Sequence, residues 1–319
     1  MNNKYNCMKC HCNESCIENK EQLLAKIEGL YSNCNKCTTK KLKKALPLKR
    51  QVKLDKINAE YGKCPVCNKR NIDYVMAHIL KILIENNLQS DSSSIRKVGS
   101  PLITPGVYLE KQPYLSENTL VILIDNIDQK TAQLILDEVP EVKGVLKGNI
   151  TNTVGQITEN DDVYNYELLA GCDIRVDIQK SDAGEIIVYK QQSKIHIEYP
   201  KMESPKLLHL NKILSKYDSP TVVDAMCGPG TLGIYALKLN AKKVIFNDIY
   251  DKAIDNLKTN LDVNQIEEKN YEIHNKSLDD LVECVAERYD VGLIDSFPMV
   301  DTEEYERKLK KICDEVIII

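Results

Sequence analysis

The chain has 319 residues, a formal net charge of −4, 43% hydrophobic and 28% charged residues. That composition is globular rather than disordered, and the length suits two domains plus a small module better than one core. The longest apolar runs, such as Leu120 to Ile124, are far too short to span a bilayer. The Asn-, Lys- and Cys-rich N-terminus is no signal peptide, so a membrane protein is excluded and a secreted one is argued against.

Charge and cysteine are both concentrated at the N-terminal end. Residues 1–70 carry 16 Lys and Arg against 6 Asp and Glu, while the remainder carries 27 against 41. A basic head on an acidic body offers one face to polyanions, although a solvated charged surface needs no partner. Eight of the twelve cysteines, Cys7, Cys10, Cys12, Cys16, Cys34, Cys37, Cys64 and Cys67, fall in this head. The other four (Cys172, Cys227, Cys284, Cys313) are scattered singly and read as reduced thiols of a cytoplasmic protein.

Three Cys-x-x-Cys pairs read as metal-binding turns, because two intervening residues let both thiolates reach one ion. Cys64-Pro-Val-Cys67 has the shape of a zinc knuckle, and Cys34-Asn-Lys-Cys37 is its natural mate in a tetrahedral site. Cys7, Cys10, Cys12 and Cys16 hold enough ligands for a second ion. An iron–sulfur cluster is the alternative for the same softness of ligand. Zinc is expected to staple a segment poor in large apolar residues rather than to catalyse. Between the knuckles, Lys36 to Arg50 places seven positive charges in fifteen residues. That run suits phosphate contacts with salt-dependent affinity, and a solvated helix face is the competing reading.

The middle of the chain reads as a small α+β domain. Met76 to Ile84 is an apolar helical pattern with His78 packed inside it, and residues 87–118, rich in Ser, Gly and Pro, read as a loop. Thr119 to Ile124 predicts a buried strand, Lys130 to Val139 an amphipathic helix, and Val142 to Leu146 and Asp173 to Ile178 further strands. Glu185 to Tyr189 and Lys194 to Tyr199 predict a hairpin.

The clearest chemistry lies at Thr221-Val-Val-Asp224-Ala-Met-Cys-Gly228-Pro-Gly230-Thr231-Leu-Gly233. A strand runs into a Gly-rich turn, a helix follows over Thr231 to Leu239, and a second strand, Lys243 to Asn247, ends at Asp248. Glycines admit a cofactor to the backbone, and a carboxylate after the second strand is placed to accept both ribose hydroxyls of an adenosine. Gly228-x-Gly230-x-x-Gly233 also matches a dinucleotide fingerprint, which keeps a nicotinamide enzyme open. Asp224 before the glycines, placed to meet a positively charged methionine moiety, and the helix starting at Asp251 favour S-adenosylmethionine. Asp224, Gly228, Gly230, Thr231 and Asp248 are the candidate cofactor residues.

Residues from about 200 to 319 resemble a class I S-adenosylmethionine-dependent methyltransferase. Upstream, Glu167-Leu-Leu-Ala-Gly171, Lys194-x-His196-x-Glu198 and Ser204-Pro205-Lys206 follow the order seen in the archaeal tRNA guanosine-37 N1-methyltransferase and wybutosine-synthesis transferase group. Lys194 and Lys206 stand where that group has Arg, and Asp295-Ser296-Phe297-Pro298 where it has Asn-Leu-Pro. The Cys-rich head is foreign to that group, and Glu315 to Ile319 reads as strand five, which leaves the usual last two strands missing. The resemblance implies an adenine contact at Asn275. Asp295, at the fourth strand, is the candidate for orienting or deprotonating the acceptor, with capping of the following turn as the competing reading, and Phe297 and Pro298 are the candidates for walling a planar ring. The resemblance also implies a Rossmann-like, doubly wound α/β domain shortened at its C-terminus (204–319); ahead of it the residues themselves give an α+β middle domain (76–203) and a zinc-binding basic head (1–75). The implied function is methylation of RNA, tRNA in particular, in the cytoplasm. The alternatives are a small-molecule methyltransferase in cofactor biosynthesis of a methanogenic archaeon, and a non-catalytic zinc-dependent binding protein with a relict cofactor fold.

Overall fold

The computed structural model describes residues 8, 16–37, 41–156, 163–297 and 300–319; Cys7, Cys10, Cys12 and Pro298 lie outside them. The chain divides into two compact units, one of residues 10–154 and 164–175, the other of 1–9, 155–163 and 176–319.

The first unit opens with helix α1 (Lys20–Ile27), whose free N-terminal amides are capped by the Asn19 side chain accepting from Gln22 N. Among its described residues, the basic run that follows includes one short turn of 3₁₀-helix at Leu48–Arg50, with Leu42 and Leu48 buried and Lys36, Lys41, Lys43, Lys44 and Lys49 exposed. Strand β1 (Arg70–Asn71) leads into α2 (Ile72–Glu85), an apolar-rich helix whose buried residues lie on every side. His78 packs inside that helix, where burial first and the Arg70 charge second push its imidazole down to about 4. Arg70, itself fully buried, grips Glu141 through two hydrogen bonds of 2.7 and 2.5 Å.

Strands β2 (Ser100–Ile103), β3 (Tyr114–Leu115), β4 (Leu120–Ile124), β5 (Val142–Lys147) and β6 (Glu167–Gly171), with helix α3 (Gln129–Glu138), complete the unit. The main sheet has the order β2-β4-β5-β6, with β4 and β5 parallel across the α3 crossover. The stretch expected as loop over 87–118 therefore holds strands β2 and β3. β2 is an edge strand, and an edge tolerates Pro101 because no second neighbour needs its missing amide.

Strands β7 (Ile174–Ser181), which enters the second unit at Val176, and β8 (Gly184–Gln191) form a two-stranded sheet closed by a tight turn at Asp182 and Ala183. It continues through α4 (Pro205–Leu214), β9 (Thr221–Asp224), α5 (Thr231–Leu239), β10 (Lys243–Asn247), α6 (Asp251–Val263), β11 (Tyr271–His274), α7 (Leu278–Cys284), β12 (Tyr289–Ile294), α8 (Glu303–Leu309) and β13 (Cys313–Ile318). The five-stranded sheet is parallel throughout, in the order β11-β10-β9-β12-β13. Alternation along the strands sends Val222, Val244 and Phe246 to the α4–α5–α6 face and Val223 and Ile245 to the α7–α8 face. This is the doubly wound Rossmann-like layer expected from the sequence.

The predicted hairpin of 185–189 with 194–199 is replaced by β7 with β8, and residues 195–200 form no strand. Helix α6 explains why. Asn256, Asn260 and Asn264, spaced four apart on one helix face, accept hydrogen bonds from the backbone amides of Gln191, Tyr189 and Ile187 at 2.7, 2.7 and 3.1 Å. Asn260 and Asn264 return bonds to the Tyr189 and Ile187 carbonyls at 3.0 and 2.6 Å. Four helical residues rise about 6 Å and two strand residues about 6.6 Å, so the two periods nearly coincide. The asparagine row therefore occupies the free edge of β8, and that strand has no edge left for a third strand.

Candidate functional site

The chain runs outward from β9 to β10 and β11, then returns across the sheet to β12 beside β9. At such a switch point the flanking connections part, which leaves a crevice beyond the carboxyl ends of β9 and β12. Asp224 ends β9 and Asp295 follows β12, so the topology alone delivers two carboxylates to this place.

Asp224 is 1% exposed. Its Oδ2 accepts the Gly233 amide at 2.9 Å, while its Oδ1 has no hydrogen-bond partner among the described residues. Burial first, then the neighbouring Asp295 and Asp248 charges, push its carboxyl up to about 7. A buried acceptor without a donor is costly, and a cation or donor brought by a ligand would relieve it.

The Gly-rich turn is shaped for close approach. Gly228 adopts the left-handed region (φ +51°) with open space where a Cβ would stand, so a ligand can lie on its backbone. Gly233 serves packing instead, since a Cβ there would come within 2.2 Å of the Phe246 ring. Thr231, half-buried, is the first residue of α5. Asp248, after β10, accepts the amides of Gly228 at 2.8 Å and Tyr250 at 2.9 Å, and burial raises its carboxyl above the usual range. Each carboxylate oxygen retains a lone pair for a further donor. Asn275, exposed after β11, donates to the carbonyls of Asp248 and Ile249 at 2.7 and 3.0 Å and so pins the loop that carries Asp248. Asn260 adds a bond of 2.9 Å to the Pro229 carbonyl, which ties the glycine turn to α6.

Asp295 is held by Lys206, whose ammonium donates to both carboxylate oxygens at 2.9 and 2.7 Å and to Glu198 at 3.1 Å. Burial keeps the Asp295 carboxyl above its ordinary range against the pull of Lys206. Burial also acts on Glu198, but Lys190 and Lys206 outweigh it and hold that carboxyl low. His196, lowered by burial, meets Phe297 edge-on with ring centroids 6.1 Å apart. His196, Glu198 and Lys206 stand in the motifs that carried the resemblance, yet spacing alone gave them no role. Eighty-nine residues separate Lys206 from Asp295, so only folding shows the pair.

In the other unit, the structure brings together Cys34, Cys37, Cys64 and Cys67, with all four sulfurs within 4.8 Å of one another. The contacts are 3.5 Å for Cys34 with Cys64, 3.5 Å for Cys37 with Cys67 and 3.8 Å for Cys37 with Cys34. A tetrahedral zinc with Zn–S bonds of about 2.3 Å has sulfur–sulfur edges of about 3.8 Å, so the spacing suits such an ion. Backbone amides of Cys67 and Val66 directed at the Cys64 sulfur hold that thiol down to about 6. Lys36, Lys41, Lys43, Lys44, Lys49 and Arg50 are exposed in and after this cluster. Cys16 lies apart from it and touches Cys172 instead.

Residues 206–293 match the family model of ribosomal protein L11 methyltransferase (PrmA). A ribosomal protein L11 methyltransferase of Agathobacter rectalis is 33% identical over 104 residues, covering 32% of this chain and 28% of that protein. One from Lachnoclostridium phytofermentans is 43% identical over 67 residues, 20% of each chain. The chain thus spans less than a third of the length of the curated relatives it matches. Among solved structures, the tRNA m1G37 methyltransferase of Methanocaldococcus jannaschii aligns with a TM-score of 0.42 and 21% identity over 68% of this chain and 58% of that one. A complex of aTrm5 with tRNALeu aligns with a TM-score of 0.43 and 19% identity, over 74% and 62%. Through the family match over residues 206–293, the C-terminal segment resembles S-adenosylmethionine-dependent methyltransferases. Among the described residues no helix is long and apolar enough to cross a membrane.

Proposed function

We propose that this protein is a cytoplasmic S-adenosylmethionine-dependent methyltransferase that acts on RNA of the tRNA class. The observation that carries the reading is the Asp224 carboxylate, buried at the switch point with Oδ1 lacking a hydrogen-bond partner among the described residues, beside a glycine turn open to a ligand. The charges of Asp295 and Asp248 both act on Asp224 there. That field suits a cationic donor and repels the pyrophosphate of a nicotinamide dinucleotide. The match of residues 206–293 to a methyltransferase family supports the same choice.

On this reading Asp224 meets the positively charged methionine end, Gly228, Gly230 and Thr231 lie under the donor, Asp248 accepts from the ribose, and Asn275 borders the adenine. When bound, the donor supplies an electrophilic methyl group on a sulfonium. The protein's part is to align the acceptor in line and exclude water. Asp295 orients the acceptor and takes its proton, Lys206 holds Asp295 in place, and Phe297 and Pro298 flank a planar ring. A zinc ion in the Cys34, Cys37, Cys64, Cys67 cluster staples the basic head (1–75). The exposed lysines of that head contact RNA phosphates, and the middle segment (76–203) contributes to substrate recognition ahead of the donor-binding segment (204–319).

The test is transfer from labelled S-adenosylmethionine to total tRNA, a ribosomal-protein fraction and a small-molecule extract. Label in tRNA, with tRNA binding that weakens as salt rises, is expected. Label confined to another fraction removes the RNA assignment. Failure to bind the donor in calorimetry removes the methyltransferase.

A further inference from the structure

We propose that the cysteine-rich head holds a pocket for one unpaired RNA nucleotide, its base seated against Tyr61 and its phosphate met by Lys36 and Lys63. The proposal rests on the RNA reading above and gives it a place and a preference for single strands. The basic run itself, residues 36–50, contains no aromatic residue, so it offers a nucleic acid charge alone. The rings arrive from farther along the chain. Tyr61, Gly62, Cys64 and Tyr74 line an open pocket of about 350 Å³ with Lys36 and Lys63 at hand, all within the first unit. That volume lies at the small end of ligand pockets, which run about 300–1,000 Å³, and it suits one nucleotide rather than a stacked run.

The walls of the pocket are held by the fold. Gly62 sits at φ +78°, and a Cβ there would come within 2.6 Å of the Tyr74 ring, so only glycine lets that ring lie on the chain. Tyr74, buried on α2, meets the half-buried Tyr61 edge-on with ring centroids 5.2 Å apart. The amides of Tyr61 and Lys63 donate to the Asn58 and Glu60 carbonyls at 3.1 Å each, which fixes the loop that carries the tyrosine. Lys44, Lys49 and Lys63 have carboxylate partners, Asp73, Asp91 and Glu60, at 3.2, 3.5 and 3.3 Å, whereas the exposed Lys36 has none among the described residues. The Lys63–Glu60 pair is open to solvent on the Glu60 side, and such a pair yields readily to a phosphate. No carboxylate lines the pocket itself. Every base has a π-face, so a tyrosine platform accepts any unpaired base and refuses a paired one, whose faces are taken up in the helical stack. An acidic peptide satisfies the lysines alone and leaves the ring unused.

The experiment measures binding of a labelled, unstructured RNA oligonucleotide to the full chain by fluorescence anisotropy over a range of salt. The same oligonucleotide annealed to its complement and a labelled mononucleotide are measured beside it. The single strand should bind more tightly than the duplex. Tyr61→Leu, which keeps apolar bulk against Tyr74, should weaken the single strand about tenfold at an unchanged salt slope and leave the duplex within about twofold. Duplex binding thereby reports that the head is still folded, and Tyr61→Phe should restore most of the lost affinity. Lys36→Ala should weaken the single strand and lower the salt slope by about 0.7, the share of one phosphate. Tyr108→Ala, at an exposed tyrosine outside the pocket, should change nothing. Single-strand affinity unmoved by Tyr61→Leu, or single strand and duplex weakened alike, overturns the pocket and leaves the RNA reading standing. A mononucleotide bound as tightly as the oligonucleotide makes this a free-nucleotide site and overturns its assignment to RNA. Binding of neither RNA form at any salt removes the RNA reading itself, and the pocket with it.

Discussion

Replacing Asn260 with alanine tests how the asparagine row of α6 holds strand β8 and the glycine turn. The side chain is fully buried and makes three hydrogen bonds, accepting from Tyr189 N at 2.7 Å and donating to Tyr189 O at 3.0 Å and Pro229 O at 2.9 Å. At about 1 kcal/mol net for each buried bond, Asn260→Ala should cost about 3 kcal/mol. Amide exchange at the middle of β8 should then quicken by about 150-fold if it proceeds through local opening of that strand. Hydrogen–deuterium exchange read on peptides covering 184–191 measures this directly, with peptides over β4 and β5 as the internal control. Asn260→Asp should be worse than alanine, because it keeps the acceptor for Tyr189 N but sets a carboxylate oxygen against two carbonyls. Acceleration of less than threefold in Asn260→Ala, or an aspartate variant as protected as the wild type, would refute the account of how β8 is held.

Further outcomes follow from the same geometry. Asp224 has a folded pKa of about 7 against an ordinary 3.8, so the folded state binds the extra proton between those values and stability falls as pH rises through that window. Asp224→Asn should flatten that slope in urea titrations. A cation binds the ionised carboxylate better, so S-adenosylmethionine affinity should rise with pH up to about 7 in the wild type and not in the variant. Lys206→Ala should lower kcat at least tenfold while donor affinity changes less than threefold. It should also move the acidic limb of the rate profile to higher pH, because the charge that lowers the Asp295 pKa is gone; Lys206→Arg should restore part of the rate. Chelation, or Cys64→Ser, should remove exchange protection from residues 28–69 and leave donor binding by the C-terminal segment within a factor of two. Arg70→Ala should destabilise its unit by about 3–5 kcal/mol by stranding Glu141, whereas Arg70→Met with Glu141→Leu should recover most of that loss in urea unfolding.

Elements governed by local rules were legible from residue order. Helix α5 and strand β10 fall on the predicted residues, since a glycine turn, an apolar helix and a β-branched strand each carry their own signal. The pairing of Cys34/Cys37 with Cys64/Cys67 was also legible, because four like ligands in two tight turns have few other uses. The hairpin was misread because alternation in Lys194 to Tyr199 fits a strand equally well, and alternation does not say whether a neighbouring edge is free. The repeated asparagines of α6 were visible, but their role depends on a strand some seventy residues upstream.

Sequence by itself determined the chemistry available: a glycine-rich turn, carboxylates before and after it, and thiols in pairs. Tertiary structure alone decided which groups meet, namely Lys206 with Asp295, Asn260 with Tyr189 and Pro229, and Cys16 with Cys172. The physical reason is that residue type and periodicity are set within a few positions along the chain. A hydrogen bond or a shared metal instead depends on distances across the fold, and those are fixed only when the sheet closes around its switch point.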